Sequence, residues 1–328
     1  PYGPPVTVAD HVVSRYGIGH RVDVSVSRTG VIAARSADEV QNTLALTDRS
    51  GRVVRTLGPQ AFYSNPTLSP DGRQVLATVT TDLAGSFNLW LFDLKGGVGS
   101  RATFGSKWDW APVWSSDGQR IIFASLRNRQ FGLYEQKLGA GTDDPILSAA
   151  RMQSAESWSR DGRYLTYQTM GQGTRFDVWA WDLTGERRTF PLLSSDANEG
   201  HSQISPDGRF VAYASDESGR FEVYVKPFPS GPGKWPVSSQ GGVEPRWRRD
   251  GRELYFIAAD RMLTAVSVTT TPEFQRGPAT PLFNSQAEYL WQDTRNHYDV
   301  TPDGRQFVLM SPTTDQRAAA FSLIVNWR

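Results

Sequence analysis

Seven residues ahead of a recurring glycine stand Asp23, Asn65, Ala111, Ala155, His201, Glu244 and His297. If successive units close into a ring, His201, Glu244, His297 and Asp23 lie at one level near a channel mouth. Two imidazoles and two carboxylates could hold a cation of the Zn or Mn kind, with His201, Glu244 and His297 as the metal set. They could equally serve as general acid and base. A plainer role fits as well: polar groups lining a wet channel bond one another and the strand edges. Trp108 and Trp110 stand just before an inner strand, where paired indoles at a rim can stack on a sugar or anchor a partner. The candidate ligand set at the channel mouth is therefore Asp23, Asn65, Trp108, Trp110, His201, Glu244 and His297. No residue is assigned as catalytic.

Other chemistry finds little footing. Gly200-His201-Ser202-Gln203-Ile204 lacks the final glycine of a nucleophile elbow, and no hydrolase domain fits beside the repeats. Asp196-x-Asn198-x-Gly200 is a fragment of a calcium pattern and reads as a polar loop. Gly17-x-Gly19 opens no helix. The chain has no Cys, so it forms neither a disulfide nor a thiolate site, which suits an oxidising compartment. Lys and Arg number 35 against 34 Asp and Glu, a net charge of +1, with no drive toward nucleic acid or an anionic membrane. No apolar run is long enough to span a membrane. The Pro-rich start, Pro1-Tyr2-Gly3-Pro4-Pro5, reads as a linker junction.

The elements that must position these residues repeat along the chain. Ser69-Pro70-Asp71-Gly72, Ser115-Ser116-Asp117-Gly118, Ser159-Arg160-Asp161-Gly162, Ser205-Pro206-Asp207-Gly208, Arg248-Arg249-Asp250-Gly251 and Thr301-Pro302-Asp303-Gly304 are tight turns, and Ser27-Arg28-Thr29-Gly30 is a worn copy. An apolar residue stands four before each glycine, from Val26 to Val300. Runs such as Leu89-Trp90-Leu91 and Val223-Tyr224-Val225 supply a third strand, and shorter runs such as Pro145-Ile146-Leu147 a fourth. Four short strands per unit of about 45 residues describe a propeller blade. Asp48, Asp93 and Asp182 end third strands as turn formers. Trp114, Trp158 and Trp247 read as core between blades. Arg246, Arg248, Arg249 and Arg252 read as a solvated face paired with Asp250 and Glu253.

The repeated S-P-D-G turn followed by an apolar strand resembles the WD40-like PD40 repeat of TolB-type propellers. Asp216-Glu217-Ser218-Gly219-Arg220, then Lys226-Pro227-Phe228-Pro229, Gly241-Gly242 and Tyr298-Asp299-Val300-Thr301-Pro302-Asp303-Gly304 resemble the C-terminal propeller of bacterial serine/threonine kinase or winged-helix sensor proteins. The resemblance implies an extracytoplasmic sensory or protein-binding module. Some propeller polysaccharide lyases use channel histidines with a metal, which keeps an enzyme in view.

The expectation is one all-β domain, a seven-bladed β-propeller of four-stranded antiparallel blades. A six-bladed TolB-like ring is the alternative. Residues 1–20 form a closing strand and bend, and blades occupy 21–60, 61–106, 107–150, 151–196, 197–240, 241–290 and 291–328. Residues 6–13 supply the outer strand of the last blade. The expected function is a non-enzymatic recognition module of a larger bacterial protein, working without cofactor as an extracytoplasmic monomer that binds a protein, small molecule or saccharide. The alternative is a carbohydrate-active hydrolase or lyase at the channel mouth, with a divalent cation.

Overall fold

The computed structural model describes residues 14–15, 21–22, 24–26, 31–36, 42–80, 86–105, 108–171, 176–287, 296–312 and 320–325. Every regular element among them is a β-strand. Six four-stranded antiparallel sheets dominate. Their first strands are Tyr63–Leu68, Asp109–Trp114, Gln153–Trp158, Glu199–Ile204, Gly242–Trp247 and Tyr298–Val300. Each first strand touches the next, and Tyr298–Val300 touches Tyr63–Leu68, so the ring closes. The blades are named here by the glycine of the turn that follows each first strand: Gly72, Gly118, Gly162, Gly208, Gly251 and Gly304.

The turns are built as their residues dictate. In the Gly208 blade the Ser205 hydroxyl donates to Asp207 at 2.5 Å, Asp207 accepts from the Arg209 amide at 3.1 Å, and Gly208 N bonds Ser205 O at 2.8 Å. Gly208 sits at φ +72°, in the left-handed region that costs glycine nothing. The Gly251 turn has no serine. Arg248 forks onto both Asp250 oxygens at 2.6 Å and does the hydroxyl's work.

The ring has six blades rather than seven. The last blade runs Tyr298–Val300, Gln306–Pro312, Asn42–Asp48, Val53–Ala61. Gln306 pairs with Asp48 and Pro312 with Asn42. The early chain thus contributes two strands to the closing blade. Residues 6–13, expected in that place, lie outside the described residues. The expected first and last blades are dismantled accordingly. Val24–Val26 and Val31–Ser36 flank the worn turn, but they form a three-stranded sheet with Ala320–Val325. The reason is edge coverage: Tyr298–Val300 and Gln306–Pro312 alone would leave the last blade with a bare edge. Leu44 and Leu57 are fully buried against Tyr63, Val75 and Phe92 of the Gly72 blade. At roughly 1.5–3 kcal/mol for each large apolar side chain, that burial favours closing the ring.

Arg49 clamps the same closure. Its guanidinium reaches Glu253 through two bonds of 3.1 Å, Tyr255 Oη at 3.0 Å and Gly304 O at 2.9 Å.

Candidate functional site

Four of the six described positions in the column ahead of each turn are backbone kinks. Asn65, Ala111, His201 and Glu244 have φ of +51°, +49°, +56° and +54°. At each the register of the inner hairpin slips, between Ser64 and Thr67, Trp110 and Val113, Gly200 and Gln203, Val243 and Arg246. A left-handed non-glycine residue costs roughly 1–3 kcal/mol and persists only where its surroundings hold it. Here the bulge turns amides away from the hairpin toward the neighbouring blade. The following residue is Pro66, Pro112 or Pro245 in three blades, which has no amide to satisfy.

Amides in and beside the inner strands are held by side chains of the neighbouring blade. Glu156 accepts from His201 N at 2.6 Å and Ser202 N at 2.9 Å, and the Ser202 hydroxyl also donates to it. Glu244 accepts from His297 N at 2.7 Å, and His297 Nδ1 lies 2.6 Å from its other oxygen. Asn65 Oδ1 accepts from Asn296 N at 2.7 Å, and Asp299 Oδ2 from Leu68 N at 2.7 Å. Trp114 and Trp247 donate their indole N–H to Thr67 O and Gln203 O, across two further seams.

These contacts decide what the expected site residues do. Glu244 and His201 are 3% and 5% exposed. Burial pushes the Glu244 carboxyl up, but His297 and the field of His201 prevail and hold it below the ordinary range. Among the described residues no three His, Asp or Glu are grouped to hold a metal ion, so the geometry lends the His201, Glu244 and His297 set no support as a metal centre. Asp23 lies outside the described residues. Trp110 is not at an open rim. It is buried, edge-on to Phe87 and Phe131, with its N–H on Ser154 Oγ at 2.9 Å. Trp108 packs half-buried against the same cluster.

Sequence reasoning expected a polar axial channel but missed the charged residues that line it. About 260 Å³ opens on the turn side, and about 50 Å³ lies further in. Thr67, Glu156, Gln203, Arg246 and Asp299 line both. Arg246 does not join a solvated face. It is 6% exposed, with Nε 3.7 Å from Asp299 Oδ1. Burial pushes Asp299 up, and it pushes Glu156 up to about 7 against the pull of its donors. A signal was present: Glu156, Arg246 and Asp299 stand five or six residues before the turn glycine, where the other blades carry uncharged residues such as Pro66, Thr67, Val113 and Gln203. At the turn-side rim stand the turn tips, Pro70, Ser116, Arg160, Pro206, Arg249 and Pro302.

Comparison with known proteins agrees with this architecture. The Tol-Pal system protein TolB of Francisella tularensis subsp. mediasiatica is 23% identical over 235 residues, covering 62% of this chain and 53% of that one. This chain therefore spans about half the length of the curated relatives it matches. A solved putative TolB from Agrobacterium tumefaciens superposes with TM-score 0.65 at 17% identity, over 83% of this chain and 98% of that one. An oligogalacturonate lyase from Vibrio parahaemolyticus gives 0.51 at 13% identity, over 90% and 97%. At such identities the likeness is one of fold. The PD40 model, described as the TolB beta propeller domain, matches residues 46–226, and on that match the chain belongs to the TolB-like PD40 propeller family.

Proposed function

We propose that this propeller is a non-enzymatic, extracytoplasmic protein-binding module whose partner docks on the turn face. One observation carries the reading. The six turn tips converge on the axial opening, each fixed by its own side-chain and backbone bonds, while the His297 imidazole and the Glu156 and Glu244 carboxylates are engaged between blades. A rigid face with ordered loops loses little entropy on docking. The Tol-Pal system named for the Francisella relative makes a Pal-type protein the first partner to test. Arg160 and Arg249 are the charged tips, so the complementary surface is acidic.

Site-specific photo-crosslinking in the intact cell envelope tests this. A crosslinker at Arg160 is expected to capture a discrete protein that one at Arg129, on the hairpin between the second and third strands of the Gly118 blade, does not. Equal capture at both positions, or none at Arg160, overturns the reading.

A further inference from the structure

The axial cavity has hydrogen-bonding capacity that holding the blades together does not use. Both Glu156 oxygens are occupied by His201 N and by the amide and hydroxyl of Ser202. Both Asp299 oxygens are occupied, by Leu68 N at 2.7 Å and Val300 N at 2.8 Å. Arg246 is different. It is 6% exposed, and its one hydrogen bond runs from Nη1 to Pro245 O at 3.1 Å. Its Nε, 3.7 Å from Asp299, is beyond hydrogen-bond reach. A guanidinium carries five N–H donors in a planar fork, so most of this one faces the cavity uncommitted. Among the lining side chains that are described, Asn296 Oδ1 is the buried acceptor left without a partner. The lining charges are Arg160, Arg246 and Arg249 against Glu156 and Asp299, a surplus of one cation.

A buried, uncommitted guanidinium edge matches a carboxylate, which accepts two parallel N–H bonds. An acceptor in the same cavity suits an N–H on the same ligand. We propose that the axial cavity binds the carboxylate end of an amino-acid derivative or peptide. Arg246 takes the carboxylate and Asn296 the neighbouring N–H. The outer space of about 260 Å³ is below the usual range for drug-sized ligands, and the adjoining inner space of about 50 Å³, which Asn296 lines, takes only a few atoms, so the occupant is a small acid or the last residues of a chain. The site needs no protein partner on the turn face, so it stands or falls apart from the docking reading above.

A free acylated amino acid and a peptide C-terminus offer the same chemistry, and calorimetric titration of the whole chain separates them. The probes are N-acetylglycine, N-acetylglycinamide, and triglycine with a free or an amidated C-terminus. Free-carboxylate forms are expected to bind at least about tenfold more tightly than their amides. Binding of N-acetylglycine marks a small acid as sufficient, and binding of triglycine alone marks a chain end. R246Q is expected to remove the preference for the carboxylate. R160Q, on the exposed rim, leaves the fold intact and is expected to weaken binding several-fold, with a shallower salt dependence. If R246Q does not fold, the acid-against-amide ratio of the unaltered chain and R160Q decide. Equal affinity for acids and amides, no binding of any probe at millimolar concentration, or undiminished binding by folded R246Q overturns the proposal.

Discussion

Glu156 and Glu244 do the same job in two seams and respond to it in opposite ways. Each sits on an inner strand and accepts a backbone amide of a neighbouring blade, Glu156 from His201 and Glu244 from His297. Burial pushes both carboxyls up. Glu156 ends at about 7, because amides and a hydroxyl oppose burial only partly and Arg246 adds a modest pull. Glu244 ends below its ordinary 4.5, because an imidazole lies against it. Neutral donors locate a buried carboxylate; a charged partner sets its protonation.

The largest effect is expected from removing Glu244. Glu244→Ala strips His297 of its carboxylate and leaves a buried amide bare, a loss of about 3 kcal/mol or more in urea unfolding. Glu156→Ala leaves two amides and a hydroxyl without their acceptor, while the buried Arg246 keeps Asp299 at 3.7 Å. It is expected to cost about 1–3 kcal/mol. A smaller loss for Glu244 than for Glu156 would break the comparison.

The pH dependence sharpens it. The folded Glu156 binds its proton more tightly than the unfolded chain does. Its effect on stability is absent below the ordinary 4.5, grows unfavourable as pH rises toward about 7, and is constant above that. Glu156→Gln should therefore flatten a decline in unfolding free energy between those limits. The depressed Glu244 works the other way. Its contribution is present above 4.5 and is lost as pH falls through the lowered value. In His297→Ala, Glu244 loses its imidazole and should come to resemble Glu156, with stability falling as pH rises, read by denaturation at a series of pH values.

The smallest expected change is Ser202→Ala. It removes one of the three donors to Glu156 and costs about 0.5–1.5 kcal/mol by thermal unfolding. It should also push Glu156 further up.

Much of the ring was legible beforehand because its signals are local. An Asp-Gly turn between apolar strands specifies a hairpin whatever surrounds it, and all six Asp-Gly turns are observed between the first and second strands of blades. The worn turn ending at Gly30 has no Asp, which was the available sign that the count was six. The site was less legible. His201 and Glu244 stand at equivalent bulges of their inner strands while His297 precedes its strand, and their chemistry depends on those dihedrals and on which neighbouring amide each side chain meets. Arg246, grouped by sequence with Arg248 and Arg249, is turned instead into the cavity.

The sequence by itself determined the hairpin unit, its repetition and the all-β class, because turn chemistry and strand alternation act over a few residues. The tertiary structure alone decided the number of blades, which strands close the ring, and whether each buried carboxylate meets an imidazole or only amides. Those choices join residues hundreds of positions apart, Asp48 with Gln306 among them. They are settled by edge coverage and burial, which no local window of sequence contains.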